Sequence, residues 1–201
     1  VDISELSIEK ARERAERQGL NGRVEFRVGD AYDLPFDNES FDVVITEFVS
    51  QFLDLKQAFK EFTRVLKKGG YVGINEMYKD DEIPATPAEE IKMAEDMISD
   101  LTKLPFKLNT PWHWKKLFFD AGLGEVEINK SQEYLGVKDL SYIIGEAGGL
   151  IEFTRIMGRV IKFSLISSKI RKRFKALQKT KAVFLRKKST SRYVGYVLGT
   201  G

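Results

Sequence analysis

Apolar positions along this chain change their period several times, and each change marks an element. From Val24 to Val28 (VEFRV) branched and aromatic residues alternate with charged ones, the period of a strand, and Gly29-Asp30 ends it with a turn signal. Phe41 to Thr46 (FDVVIT) is a short apolar run, which predicts a strand buried on both faces. Tyr71 to Asn75 predicts another strand with Glu76 at its end, followed by Gly124 to Ile128 and, far along the chain, Tyr193 to Leu198. Helical spacing alternates with these runs. Ser4 or Ser7 caps a helix with Leu6, Ile8, Ala11 and Ala15 on one side, and Gly19 with Asn21-Gly22 ends it. Leu55, Ala58, Phe59, Phe62, Val65 and Leu66 make a second helix, with Lys67-Lys68-Gly69-Gly70 as a basic end and glycine stop. Thr86-Pro87 opens a third helix running to Lys103. Asn109-Thr110-Pro111 opens a fourth, with Trp112, Leu117, Phe118 and Ala121 inward and Gly122 as its stop.

The pattern concentrates chemistry in Gly29 to Leu53, a stretch that holds two predicted strand ends and the loops leaving them. In an open α/β sheet, ligands bind in the crevice outside the carboxyl ends of the strands. Asp30 and Glu47 each follow a strand-like run, so both belong at one sheet edge provided the strands are parallel.

GDAYDLPFDNESFDVVI, followed some twenty residues later by RVLKKGGYVGINE, resembles the class I S-adenosylmethionine-dependent methyltransferases, in the branch acting on quinones and other small molecules. The opening VDISELSIEKARERA fits as the end of that family's second strand and the helix after it. The resemblance covers Val1 to Gly124 and, less closely, the final strand. The family's glycine-rich first loop would precede Val1, and the expectation is a chain lacking its natural amino terminus. The implied fold is a Rossmann-like, seven-stranded, mostly parallel α/β sheet with an antiparallel last strand and a helical insert before that strand. The implied cofactor is S-adenosylmethionine, and the implied reaction is methyl transfer to a small, lipophilic or anionic molecule.

The resemblance also assigns residues. Asp2 stands where the family holds the ribose hydroxyls of the cofactor, and a carboxylate suits a vicinal diol because it accepts two hydrogen bonds; alone, it reads equally as a helix-capping Asp. Asp30 stands where the family accepts from the adenine amino group, with the Ala31 amide meeting a ring nitrogen; alone, Gly29-Asp30 is a turn whose carboxylate binds backbone amides. Ile3 and Tyr32 would give the base its apolar faces. Thr46 and Glu47 lie where the methionine portion and the substrate approach, with Glu47 orienting substrate or meeting the cofactor's amino group. Phe48 and Phe52 line the pocket or belong to the core. His113, the single histidine, reads as a helix-surface residue, and no catalytic base is named.

Composition narrows the picture. The chain has no cysteine, excluding disulfides and thiolate metal sites, and no metal site is expected. No apolar run is long enough for a membrane span, and a cytoplasmic protein is the expectation. The net charge of +3 hides a division: Phe153 to Gly201 holds 14 Lys or Arg and no acid, against 19 basic and 30 acidic groups before it. Helices are expected over Asp139 to Ala147 and Leu150 to Phe163. Ile166, Ile170, Phe174 and Leu177 predict a third, with Lys169, Arg171, Lys172, Arg173 and Lys175 on its other sides. The expected organisation is a core of residues 1–136 and 191–201, incomplete at its start, with 137–190 as a basic helical insert or cap. A basic insert fits a solvated face, a partner, or peripheral contact with an anionic membrane surface. It also leaves open methylation of RNA, disfavoured because no RNA-binding module is present and the insert's Ile, Leu and Phe suit packing better than base stacking. A non-catalytic, methyltransferase-like binding or scaffold domain is the remaining alternative.

Overall fold

The computed structural model describes residues 1–20, 22–131, 150–151, 154–155, 158–159, 162, 167–185 and 187–201. The helix expected over 139–147 lies outside the described residues, as does much of the one expected over 150–163.

The sheet is built on two parallel neighbours, β1 (Phe41–Glu47) and β2 (Leu66–Lys79), in a register that sets Val44 against Val72 and Glu47 against Asn75. β3 (Glu127–Ser131) lies at the other edge, and β4 (Val194–Thr200) is inserted antiparallel between β2 and β3, giving the order β1-β2-β4-β3. Among the described residues, therefore, three strands run one way and the last in sequence runs against them, as the family resemblance implies, in a sheet of four strands where seven are expected. Outside this sheet, Asp2 and Val28 form an isolated parallel bridge, so Val24 to Val28 is extended chain paired at one point rather than a full strand.

Helix α1 (Glu5–Arg17) starts at Ser4, whose side chain accepts from the Ser7 amide. Asp54 caps α2 (Leu55–Val65), accepting the amides of Lys56 and Gln57. The apolar face of α2 buries Leu55, Ala58, Phe59, Phe62 and Val65, the first four in one core cluster with Val72, Ile74 and Tyr78 of β2 and Val197 of β4. Trp114, Leu117 and Phe118 of α4 (Pro111–Asp120) join it. Each large side chain so buried contributes about 1.5–3 kcal/mol from removal of apolar surface from water. A second cluster joins Ile91 and Ala94 of α3 (Ala85–Thr102), Leu108, Phe184 of α5 (Ser168–Leu185) and Val194. The short α6 (Lys188–Ser191) leads from α5 into β4. β4 lies tightly between its neighbours: a Cβ on Gly195 would come within 2.5 Å of the Ser131 carbonyl oxygen and 2.7 Å of Tyr78 Cε1.

Several local expectations shift. β1 is an edge strand among the described residues, with Val43 51% and Ile45 73% exposed, so it is not buried on both faces. Lys67-Lys68-Gly69-Gly70 belongs to the irregular start of β2 rather than to the end of α2, with the register shifting between Phe41 and Val43 and Gly69 at φ 76°. β2 runs on to Lys79, which puts Glu76 inside the strand. On α4 the inward indole is Trp114, whereas Trp112 is exposed, and on α1 Leu6 is exposed. β3 starts at Glu127, later than the expected Gly124.

Candidate functional site

The parallel bridge joins two loops of the predicted site. The Asp2 amide donates to the Arg27 carbonyl at 3.3 Å, and the Gly29 amide donates to the Asp2 carbonyl at 3.1 Å. Gly29 has to be glycine here, since a Cβ would come within 2.9 Å of both Pro35 and Val1. Asp2, Ile3, Asp30 and Ala31 are thereby set at the carboxyl ends of two short parallel segments. Both carboxylates are exposed and half-used. Asp2 Oδ1 accepts the Ser4 amide at 2.8 Å, and Asp30 Oδ1 accepts the Tyr32 amide at 2.9 Å, so each keeps a second oxygen that has no partner among the described residues. The Ala31 amide has no partner among the described residues. Around them Ile3 is 74% exposed, and Val1, Val28 and Tyr32 also present apolar surface.

The loop after Asp30 is fastened to α2. Tyr32 Oη accepts the Asp54 amide at 2.7 Å, tying the loop to the residue that caps the helix leaving β1. Farther along, Arg64 donates to the carbonyls of Leu34 (3.0 Å) and Phe36 (2.8 Å) and to Asn38 Oδ1 (3.0 Å). Arg64 also pairs with both oxygens of Glu61, and Glu61 Oε2 in turn accepts the Leu34 amide at 3.0 Å. The hydrogen bond from Arg64 holds the Glu61 carboxyl below its ordinary value.

Thr46 and Glu47 end β1 and point to different surroundings. Glu47 is exposed, and its Oε1 accepts from Asn75 Nδ2 at 2.9 Å. Thr46 is buried: its hydroxyl donates to Glu76 Oε1 at 3.0 Å and lies 2.9 Å from Ser50 Oγ. Glu76 is fully buried and also accepts the Ser50 amide at 3.1 Å and the Val49 amide at 3.3 Å. All these bonds fall on Oε1, while Oε2 is buried with no partner among the described residues. Burial pushes the Glu76 carboxyl above its ordinary value, against the opposing pull of the Ser50 and Thr46 donors. Glu76 thus fixes the turn Ser50–Phe52 that carries the chain from β1 into α2. Phe48, beside that turn, adopts a left-handed backbone (φ 52°), which a bulky residue rarely takes, and its ring meets Tyr196 edge-on at 5.6 Å. Phe52 stacks at a tilt with Phe106, 5.1 Å between centroids.

The six predicted residues accordingly divide. Asp2, Ile3 and Asp30 form one exposed group with half-buried Ala31 beside them, and Glu47 stands exposed at the end of β1. The Thr46 side chain serves the turn beneath the site instead of facing outward. His113 is exposed on α4, as expected of a surface residue. A cleft of about 600 Å³ lies elsewhere, at the amino end of β2, lined by residues that include Arg64, Lys67, Gly70, Tyr71 and Leu123 and by none of the six. Sequence reasoning missed the Glu61–Arg64 clamp and the burial of Glu76. The signal for Glu76 was present: Val72, Ile74, Glu76 and Tyr78 alternate on one buried face, and a carboxylate at an apolar beat is the exception to look for.

Comparison with known proteins agrees with the resemblance read from the sequence. Residues 1–74 match the family described as methyltransferase domain. A demethylmenaquinone methyltransferase of Bacteroides fragilis is 34% identical over 85 residues, 42% of this chain and 35% of that protein. A phosphatidylethanolamine N-methyltransferase of Cereibacter sphaeroides is 35% identical over 91 residues, 45% of each chain. The matched stretches span less than half the length of either relative. Among solved structures, a geranyl diphosphate methyltransferase in complex with S-adenosylmethionine superposes with a TM-score of 0.57 at 15% identity, over 99% of this chain and 65% of that one. At that identity the likeness establishes the Rossmann-like α/β fold.

Proposed function

We propose, with the methyltransferase-domain match of residues 1–74 as the premise, that this chain binds S-adenosylmethionine at the carboxyl end of its sheet and supports methyl transfer to a small lipophilic molecule. The observation that carries the proposal is the group of exposed Asp2, Ile3 and Asp30 with half-buried Ala31, brought together by the Asp2–Val28 bridge inside the matched region. The donor set fits an adenosine. The unpartnered oxygen of Asp30 is an acceptor for an exocyclic amine, the Ala31 amide is a donor for a ring nitrogen, and the unpartnered oxygen of Asp2 accepts from a ribose hydroxyl. Ile3 and Tyr32 supply apolar surface for the base.

When bound, the cofactor supplies a sulfonium-activated methyl, and transfer forms a bond from the acceptor's N, O or C atom to that carbon while the carbon–sulfur bond breaks and its electron pair goes to sulfur. Positioning and exclusion of water are then the tasks left to the protein. Glu47, exposed at the end of β1, is the residue suited to orient the acceptor, with Phe48 and Phe52 as apolar lining. A lipophilic acceptor is favoured by the relatives, whose names specify a quinone and a phospholipid.

The test is incubation with methyl-labelled S-adenosylmethionine and separate lipid, polar-metabolite and RNA fractions. Label in an organic-soluble small molecule, reduced in Asp30→Ala, supports the proposal. Label confined to RNA overturns the acceptor class, and no label in any fraction overturns the activity.

A further inference from the structure

Helix α5 carries seven Lys or Arg and no acid in eighteen residues, and all seven are exposed. Among the described residues, one side of the helix is used for packing. Thr180 and Phe184 are buried, with Phe184 in the cluster that includes Ile91 and Ala94 of α3. Beside that packed side, Ile170, Phe174 and Leu177 remain 37%, 42% and 52% exposed. Their spacing of four and three residues puts them on one stripe of the helix. Helical geometry places Arg171 on one flank of the stripe and Arg173 on the other, with Lys181 continuing its line. A helix that merely faced water would have no use for an Ile, a Phe and a Leu in one row. A helix wholly in the core would not ring them with cations.

This combination, an apolar stripe with a broad cationic surround, is the pattern of a helix lying in the plane of a membrane interface. Charge complementarity selects an anionic bilayer. Among the described residues, two acids of α3 bear on this region: Asp100, which pairs with Lys103 and also feels Arg173, and Glu90, which pairs with Lys187 beyond the end of α5. Lys169, Lys172, Lys175, Lys179 and Lys181 form no ion pair among the described residues. A nucleic acid is the weaker match, because single-strand binding draws on several flat rings for stacking and α5 exposes one aromatic, Phe174. The helix also stands at the functional end of the sheet: α5 packs on α3, which follows the carboxyl end of β2, and leads through α6 into the start of β4 beside Lys79.

We infer that α5 docks this protein on an anionic bilayer surface, with Ile170, Phe174 and Leu177 inserted among the acyl chains and the surrounding Lys and Arg at the headgroups. The inference stands independently of cofactor binding, and its test contains no S-adenosylmethionine. The experiment is co-sedimentation of the chain with phosphatidylcholine vesicles and with vesicles containing about one quarter phosphatidylglycerol, at about 0.1 M and about 0.5 M salt. The expected result is partition onto the anionic vesicles alone, reduced at the higher salt. Arg173→Gln with Lys181→Gln, which removes a cation flanking the stripe and one in its line, weakens it about 25-fold, about fivefold for each charge removed, at unchanged melting temperature. Phe174→Ser with Leu177→Ser weakens it at least about tenfold. Equal binding to neutral vesicles, or none to anionic ones, overturns the inference. So does an apolar double variant that melts lower yet sediments as before, which would make the stripe a packing surface. Displacement by RNA, with the apolar variant binding as tightly as the parent, would replace the bilayer by a polyanion and overturn it too.

Discussion

Glu76→Gln tests whether a buried carboxylate underlies the turn that leads out of the site. In the native protein Oε1 accepts three hydrogen bonds, from the Thr46 hydroxyl and the Val49 and Ser50 amides, and Oε2 has no partner. Gln keeps an acceptor at the first position and removes the charge. Glu76→Ala removes the acceptor and leaves three buried or half-buried donors and a cavity. The usual cost of a buried donor left unsatisfied is about 1–3 kcal/mol, so the Ala variant loses about 3–5 kcal/mol in all. That is a large share of the roughly 5–15 kcal/mol by which a domain is stable, and a fall in melting temperature of about 10 °C or more follows. The pH dependence separates the two effects. Burial raises the folded-state value above the ordinary 4.5, so the contribution of Glu76 is fully present below that value and is lost as the pH rises through the folded value. The Gln variant carries no such loss. Its melting temperature relative to the parent should therefore rise as the pH increases from acid to neutral, measured by thermal circular dichroism at a series of pH values. A difference that stays flat across that range, or shrinks toward neutral pH, refutes the reasoning.

Other consequences follow from particular contacts. Arg64→Met removes three hydrogen bonds to the loop of Leu34, Phe36 and Asn38, and with them the pairing to Glu61. It should lower the urea unfolding midpoint, and an unshifted midpoint would show that the clamp is screened by solvent. Gly195→Ala drives a methyl into the Ser131 carbonyl and the Tyr78 ring, neither of which has room to yield. About 1–3 kcal/mol of destabilisation is expected, read as an earlier urea midpoint, and an unshifted midpoint would contradict the close approach of β4. His113→Gln should leave methyl transfer within about twofold of the parent, since the imidazole stands on an exposed helix surface; a loss of tenfold or more would make it part of the chemistry.

The helices were legible because their signals are local, whereas the strand directions came only from the family resemblance. Thr110-Pro111 opens α4 through a side-chain cap and a pre-set φ, and the apolar face of α2 repeats at helical spacing. The strand lengths were less legible. Leu66 to Gly70 carries a glycine stop and two lysines, and only pairing with β1 makes it the start of a strand. Trp112 and Trp114 are adjacent beats of one helix, and which of them turns inward depends on how α4 settles against Phe59, a tertiary fact. In the site, Asp2 and Asp30 follow from turn signals plus the family pattern. The half-use of each carboxylate by a neighbouring amide shows that the capping role and a ligand role are compatible rather than exclusive. The inward turn of Thr46 was hidden because its partner Glu76 lies thirty residues away. Arg64 was hidden for a similar reason, since its acceptors are backbone carbonyls that carry no sequence signature.

The most direct measurement is calorimetric titration of the chain with S-adenosylmethionine, repeated with Asp30→Ala. A hydrogen bond to a charged acceptor is worth about 1.5–3 kcal/mol, so saturable binding to the parent that the substitution weakens about 10- to 100-fold is the predicted result. Binding that Asp30→Ala leaves unchanged would remove the adenosine from the Asp30–Ala31 loop. No binding at millimolar cofactor, by this chain or by a version extended upstream of Val1, each folded by circular dichroism, would contradict the methyltransferase assignment itself.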